Sequence, residues 1–111
     1  MNRLVKSLAI SLGVIPFAAV VQAQTIQQTN VIENTVALQF AQSQCGYKVN
    51  YDMLGLALSA ANLRTSDLSP GGRYWASVEQ NQSRVRRLIA MSSGKSSFCR
   101  NVRRDLSAMF D

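Results

Sequence analysis

The chain has 111 residues, of which 47% are hydrophobic and 16% charged, so it suits one domain and is too apolar to be disordered throughout. It carries a formal charge of +6 and no histidine, which excludes an imidazole base, a Ser-His-Asp triad and imidazole metal ligands. Its two cysteines do not form a CxxC pair, and alone they leave a four-ligand zinc set incomplete.

The chain opens with a short basic region, Arg3 and Lys6, followed by an uncharged, mostly apolar run from Ser7 to Val21. Val21-Gln22-Ala23 then places modest residues where a signal peptidase reads. This three-part pattern predicts a cleavable secretory signal peptide over residues 1–23. A membrane anchor fits less well, because a span needs roughly 20 apolar residues and Pro16 interrupts this run. No cysteine lies near the cut for a lipid anchor. Cleavage leaves 88 residues with a formal charge of +4 and no expected transmembrane span. The expected destination is the bacterial periplasm or the exterior. A domain of 88 residues buries a limited core and gains from a covalent staple.

Residues 24–29 are polar and are expected to be flexible, with the helical domain covering 30–111. From Asn30, Val31, Ile32, Val36, Ala37, Leu38, Phe40 and Ala41 cover most of a helical wheel. A helix apolar nearly all round is buried against several neighbours, so this one is expected at the centre of a bundle. Gly46, after Cys45, suits the left-handed position that ends a helix.

Asn50 is placed to cap a second helix, with Asp52 in its first turn. Met53, Leu54, Leu56, Ala57, Leu58, Ala60, Ala61 and Leu63 continue it, and alanine and leucine are strong helix formers. Arg64 to Leu68 reads as a turn. Ser69-Pro70-Gly71-Gly72 is the clearest punctuation, with Ser69 and Pro70 suited to a helix start.

A long amphipathic helix is expected from Arg73 to Gly94. Trp75, Val78, Gln82, Val85, Leu88 and Ile89 share one face, and Trp75 is the expected core anchor. Gly94 is expected to close it. The polar run Glu79 to Ser83 is a candidate kink. The last helix is SSFCRNVRRDLSAMF, Ser96 to Phe110, capped by Ser96 or Ser97. At about 100° per residue, its apolar residues Phe98, Cys99, Val102, Leu106, Met109 and Phe110 fall within roughly 120°. Arg100, Arg103 and Arg104 fall on the far side. The fold class is thus all-α: a small bundle of three or four helices with one disulfide.

Export leads to an oxidising compartment, where the pair Cys45 and Cys99 is expected to be a disulfide. The bond encloses a loop of about 54 residues, for which chain entropy gives roughly 4 kcal/mol as an upper estimate. The alternatives are two buried thiols or a redox-active pair, and the wide separation argues against the latter.

Catalysis is not expected. Glu33, Asp52, Asp67, Glu79, Asp105 and Asp111 are scattered, with no close pair on one helix face. Pro70-Gly71-Gly72 lacks the strand and the GK[ST] ending of a phosphate loop. Ser66 or Ser69 as a nucleophile has no named base. A small hydrolase is therefore the third and least favoured class, and no cofactor or metal is expected.

Charge is the remaining signal. From Arg73 to Arg104 the chain carries eight cations opposed only by Glu79, while the rest of the mature chain is net negative. Seven of the eight are arginines, which suit planar recognition of carboxylate or phosphate. If the last two helices form an antiparallel hairpin, Arg84, Arg87, Arg100, Arg103 and Arg104 come to share one surface. The leading expectation is a binding protein whose partner is an anionic lipid headgroup, an acidic polysaccharide or an acidic protein. A solvated outer face with no ligand is the ordinary condition of a helix and stands beside this reading. Nucleic acid fits the charge but not the compartment, and few aromatics interleave for base stacking. In architecture, though with no shared motif and with a contrary charge balance, the chain resembles the acid-stress chaperones of the bacterial periplasm. That resemblance implies the second class, a stress chaperone or holdase that grips unfolded clients through apolar surface.

Overall fold

The computed structural model describes residues 24–111, and the expected leader lies outside them. Among the described residues the fold is all-helical, with helices α1 (Ile26–Phe40), α2 (Tyr51–Ala60), α3 (Trp75–Ala90) and α4 (Gly94–Asp105). Short 3-10 turns cover Thr65–Leu68 and Ser107–Met109. None of the described helices is long and apolar enough to cross a membrane.

Helix α1 begins four residues before the expected start, so the segment expected to be flexible carries its first turn. The reason is a capping box that the polar run concealed. Thr25 Oγ1 accepts from the Gln28 amide at 2.9 Å, and Gln28 Oε1 accepts from the Thr25 amide at 3.1 Å. Gln28 is also buried, and it donates through Nε2 to the Ala61 carbonyl at 3.2 Å. A polar side chain is stable there because its hydrogen bonds are met.

The expected central role of this helix is visible in its two buried edges. Ile32 and Val36 enter one apolar cluster with Leu58, Ala61, Leu63, Tyr74, Val78 and Val85. Leu38 and Ala41 enter a second with Val49, Val102 and Phe110. After Phe40 the helix widens into a π turn, Ala41–Cys45, and stops at Gly46, whose φ of 71° is the expected left-handed end. Asn50 caps α2 as expected, its Oδ1 accepting from the Met53 amide at 3.1 Å.

Several expectations need correction. Ser69 and Pro70 do not start the third helix; α3 begins at Trp75. The intervening loop is instead held by Asp67, which lies out of solvent. Its carboxylate accepts from the Arg64 amide at 2.9 Å, from Arg73 Nε at 3.0 Å and from Arg73 Nη2 at 3.1 Å. The aromatic core anchor is Tyr74, buried in the first cluster and bonded through its hydroxyl to Gln28 Oε1 at 3.4 Å. Trp75 packs on that cluster only partly buried. Nor does Gly94 end α3. Helix α3 runs unbroken through the polar run to Ala90, and Gly94 opens α4 without a serine cap. A side chain at Gly94 would lie 1.9 Å from the Leu88 carbonyl, so only glycine lets the two helix ends approach this closely.

The last helix also stops early, at Asp105. Phe110 joins the second cluster from an extended terminus that pairs with Val49, not from a helical face. The Asn50 amide donates to the Met109 carbonyl at 2.8 Å, and the Asp111 amide to the Lys48 carbonyl at 2.9 Å.

The Arg73 hydrogen bonds, then the Arg64 amide, hold the Asp67 carboxyl down from 3.8 to about 2, against the opposing effect of burial. A carboxyl depressed by folding stabilises the fold above its ordinary value, and the benefit is lost as pH falls through the folded value. Asp67→Asn is therefore expected to lower the melting temperature at neutral pH. The gap from the unsubstituted protein should close as pH approaches about 2. Thermal melts across that range check it, and a gap that stays constant would refute it.

Candidate functional site

Helices α3 and α4 pack against one another and are joined by only Met91, Ser92 and Ser93. The short connection brings the last turn of α3 and the first turn of α4 to one end of the molecule. The disulfide ties this end to α1. Cys45 closes the π turn and Cys99 lies on α4, their Cα atoms 5.7 Å apart, with the Tyr47 hydroxyl donating to the Cys99 carbonyl at 3.2 Å.

The five arginines singled out in the sequence are in different surroundings. Arg84 reaches Glu33 of α1 at 3.7 Å and makes a close hydrogen bond to Asn81 Oδ1. Asn81 is buried, which the helical pattern did not anticipate, and its amide is bonded to the Ser77 carbonyl at 2.9 Å. Arg87 is exposed and lines a shallow depression with Arg84, Glu79 and Gln80. Arg100 is exposed beside the disulfide, at a second open depression shared with Lys95, Ile89 and Met91. Arg103 lies over the rings of Tyr47, at 4.8 Å, and Phe110, at 5.6 Å. Those rings meet edge to face, so the guanidinium covers the end of the second cluster. Arg104 pairs with its neighbour Asp105 at 2.9 Å. That bond lowers the Asp105 pKa and raises that of Arg104. Both groups are well exposed, so the pair contributes little stability.

Arg84 and Arg87 are thus brought together, Arg100 stands at the disulfide, and Arg84, Arg103 and Arg104 have partners within the chain. Among the described residues, the cations of α3 and α4 with neither a carboxylate nor a ring partner are Arg86, Arg87, Lys95 and Arg100. Arg86 and Lys95 were not among the sequence candidates. Their signal was the short spacing between two predicted helices, which places the end of one beside the start of the next.

A feature the sequence did not reveal is a groove of about 430 Å³ bordered by α1, the end of α3 and α4. Ala37, Leu88, Met91, Phe98, Val102 and Leu106 give it an apolar lining, with Asn34, Ser97, Asn101 and Asp105 as polar groups. Leu88, expected in the core, is 47% exposed at its mouth, and Met91 is 63% exposed. Asn34, Asp105 and Leu106 also line a smaller cavity that continues toward Leu54 and Ala57 of α2. Among the described residues, no three of His, Cys, Asp and Glu lie together as metal ligands would.

No protein-family model, curated protein or solved structure matches the chain.

Proposed function

We propose that the protein is an exported binding module for an anionic partner, contacted through the end of the bundle where α3 meets α4. One observation carries this reading: Arg86, Arg87, Lys95 and Arg100 are exposed on these two helices, and among the described residues no carboxylate is bonded to them. Cations not neutralised by an internal carboxylate keep their charge for an external one, and arginine forks suit carboxylate, sulfate or phosphate oxygens. The disulfide supports export, because such bonds persist in oxidising compartments.

A second reading, a holdase, draws on the apolar groove. The two differ in their response to salt, because exposed charge contacts are screened and apolar burial is not. Binding to anionic vesicles, a sulfated polysaccharide and an acidic polypeptide at low and high salt tests the proposal. At least one should be bound at low salt and released at high salt. Arg87→Glu with Arg100→Glu should abolish that binding while leaving the helical content unchanged. Binding that survives both salt and charge reversal would replace the proposal with the apolar reading.

A further inference from the structure

The corner where α3 gives way to α4 is apolar as well as basic. Ala90, Met91, Ser92 and Ser93 form an exposed run between the two helices, and Met91 is 63% exposed. Leu88, just before it, is 47% exposed. Met91 stands on a ridge between two depressions. On one side it borders the groove with Leu88 and Phe98. On the other it shares a shallow hollow with Ile89, Lys95 and Arg100.

The charge around this ridge has little local opposition. Residues 80–104 contain no carboxylate, and residues 34–47, which bring the end of α1 to the hollow, contain no charge at all. Asp105, the carboxylate that lines the groove, is paired with Arg104. Arg86 and Arg87 directly precede Leu88 and are exposed. The Met91 amide donates to the Leu88 carbonyl at 3.3 Å, and the Met91 carbonyl accepts from the Gly94 amide at 2.8 Å. Met91 therefore carries no unmet backbone group into an apolar medium, where such a group is costly.

We propose that the anionic partner is a lipid bilayer: Met91 and Leu88 enter the boundary between headgroups and acyl chains, while Lys95 and Arg100 meet the headgroup phosphates. This inference rests on the binding role proposed above and names the partner. A bilayer interface offers anionic oxygens and apolar chains within about 5–10 Å of depth, so it satisfies the cations and covers the ridge at once. A sulfated polysaccharide or an acidic polypeptide would meet the same cations but leave Met91 and Leu88 in water. A ridge between two hollows also suits a deformable surface, because a rigid partner would have to match its shape. Arg86 and Arg87 add long-range attraction to an anionic leaflet. Two apolar side chains insert only shallowly, so the contact is reversible and is weakened by salt.

Flotation of the purified exported protein with vesicles tests it, with binding to heparin and to polyglutamate measured alongside. The protein should float with equal parts phosphatidylglycerol and phosphatidylcholine at low salt, and not with phosphatidylcholine alone. Leu88→Ser with Met91→Ser should lower the vesicle affinity by about tenfold or more. Its heparin affinity and circular dichroism spectrum should stay unchanged. In a second variant, Met91→Trp with Trp75→Phe, tryptophan emission should shift to the blue with the anionic vesicles and be quenched by lipid brominated on its acyl chains. Binding to none of the anionic probes at low salt overturns the binding role and this inference with it. Heparin or polyglutamate binding without vesicle binding overturns this inference alone. So does vesicle binding that the double serine variant retains in full, or tryptophan emission that the vesicles leave unmoved.

Discussion

Reducing the Cys45–Cys99 bond is expected to lower the melting temperature by roughly 20 °C, and Cys45→Ser with Cys99→Ser should reproduce that value without reductant. The bond closes 54 residues, and chain entropy assigns such a loop roughly 4 kcal/mol. In a domain of this size each kcal/mol moves the midpoint by about 4–8 °C. The effect should not be uniform across the molecule. The bond lies beside the smaller cluster, where Leu38 of α1 and Ala41 of the π turn meet Val49, Val102 and Phe110 from three other stretches of chain. Without it, α4 is held to the end of α1 by that cluster, by the Tyr47 hydroxyl and by Arg103 over the Tyr47 ring. Amide exchange in the reduced protein should quicken first in α4 and the terminal turn, and last in the α1 and α3 residues of the larger cluster. Melts with and without reductant check the magnitude. A shift under about 5 °C would mean that the cross-link merely decorates a fold stable without it.

The helices were legible in the sequence because their causes are local, and the bond because the chain has two cysteines and an expected export signal. The Asn50 cap, the end at Gly46 and the face of Val78 and Val85 each depend on residues a few positions apart. What the sequence hid was set by tertiary partners. Thr25 and Gln28 read as a polar tail until Ala61 and Tyr74 supply the groups that bury Gln28. Phe110 satisfied a helical arc, yet the helix yields to an extended terminus because Val49 offers it a backbone partner. Asp67 and Arg73 looked like ordinary surface charges, and only the folded loop brings them together. The arginine set was legible as composition but not as geometry. Glu33 and Asp105 claim two of its members, and the Tyr47 and Phe110 rings cover a third. No periodicity reveals the groove, which is bordered by helices distant in sequence.

Truncating either buried edge of α1 is expected to have the other large effect. Ile32 is fully buried in the larger cluster and Leu38 is 1% exposed in the smaller, so Ile32→Ala and Leu38→Ala each leave a cavity. Such changes cost about 2–5 kcal/mol, through lost transfer energy and unfilled space. The two residues lie about 120° apart around the helix axis and belong to different clusters, so their costs should be nearly additive. Together they approach the whole stability of a small domain, and the double variant is expected to be largely unfolded at 25 °C. The single variants carry the more discriminating information. Trp75 packs on the larger cluster only, so its fluorescence reports that cluster, while far-ultraviolet dichroism reports all four helices. Because one unbroken helix serves both clusters, Leu38→Ala should shift both signals to the same lower midpoint in a urea titration. If the Trp75 transition stayed in place while the dichroism curve split in two, the clusters would be independent units. Helix α1 would then be a link between two cores, not the element that makes them one.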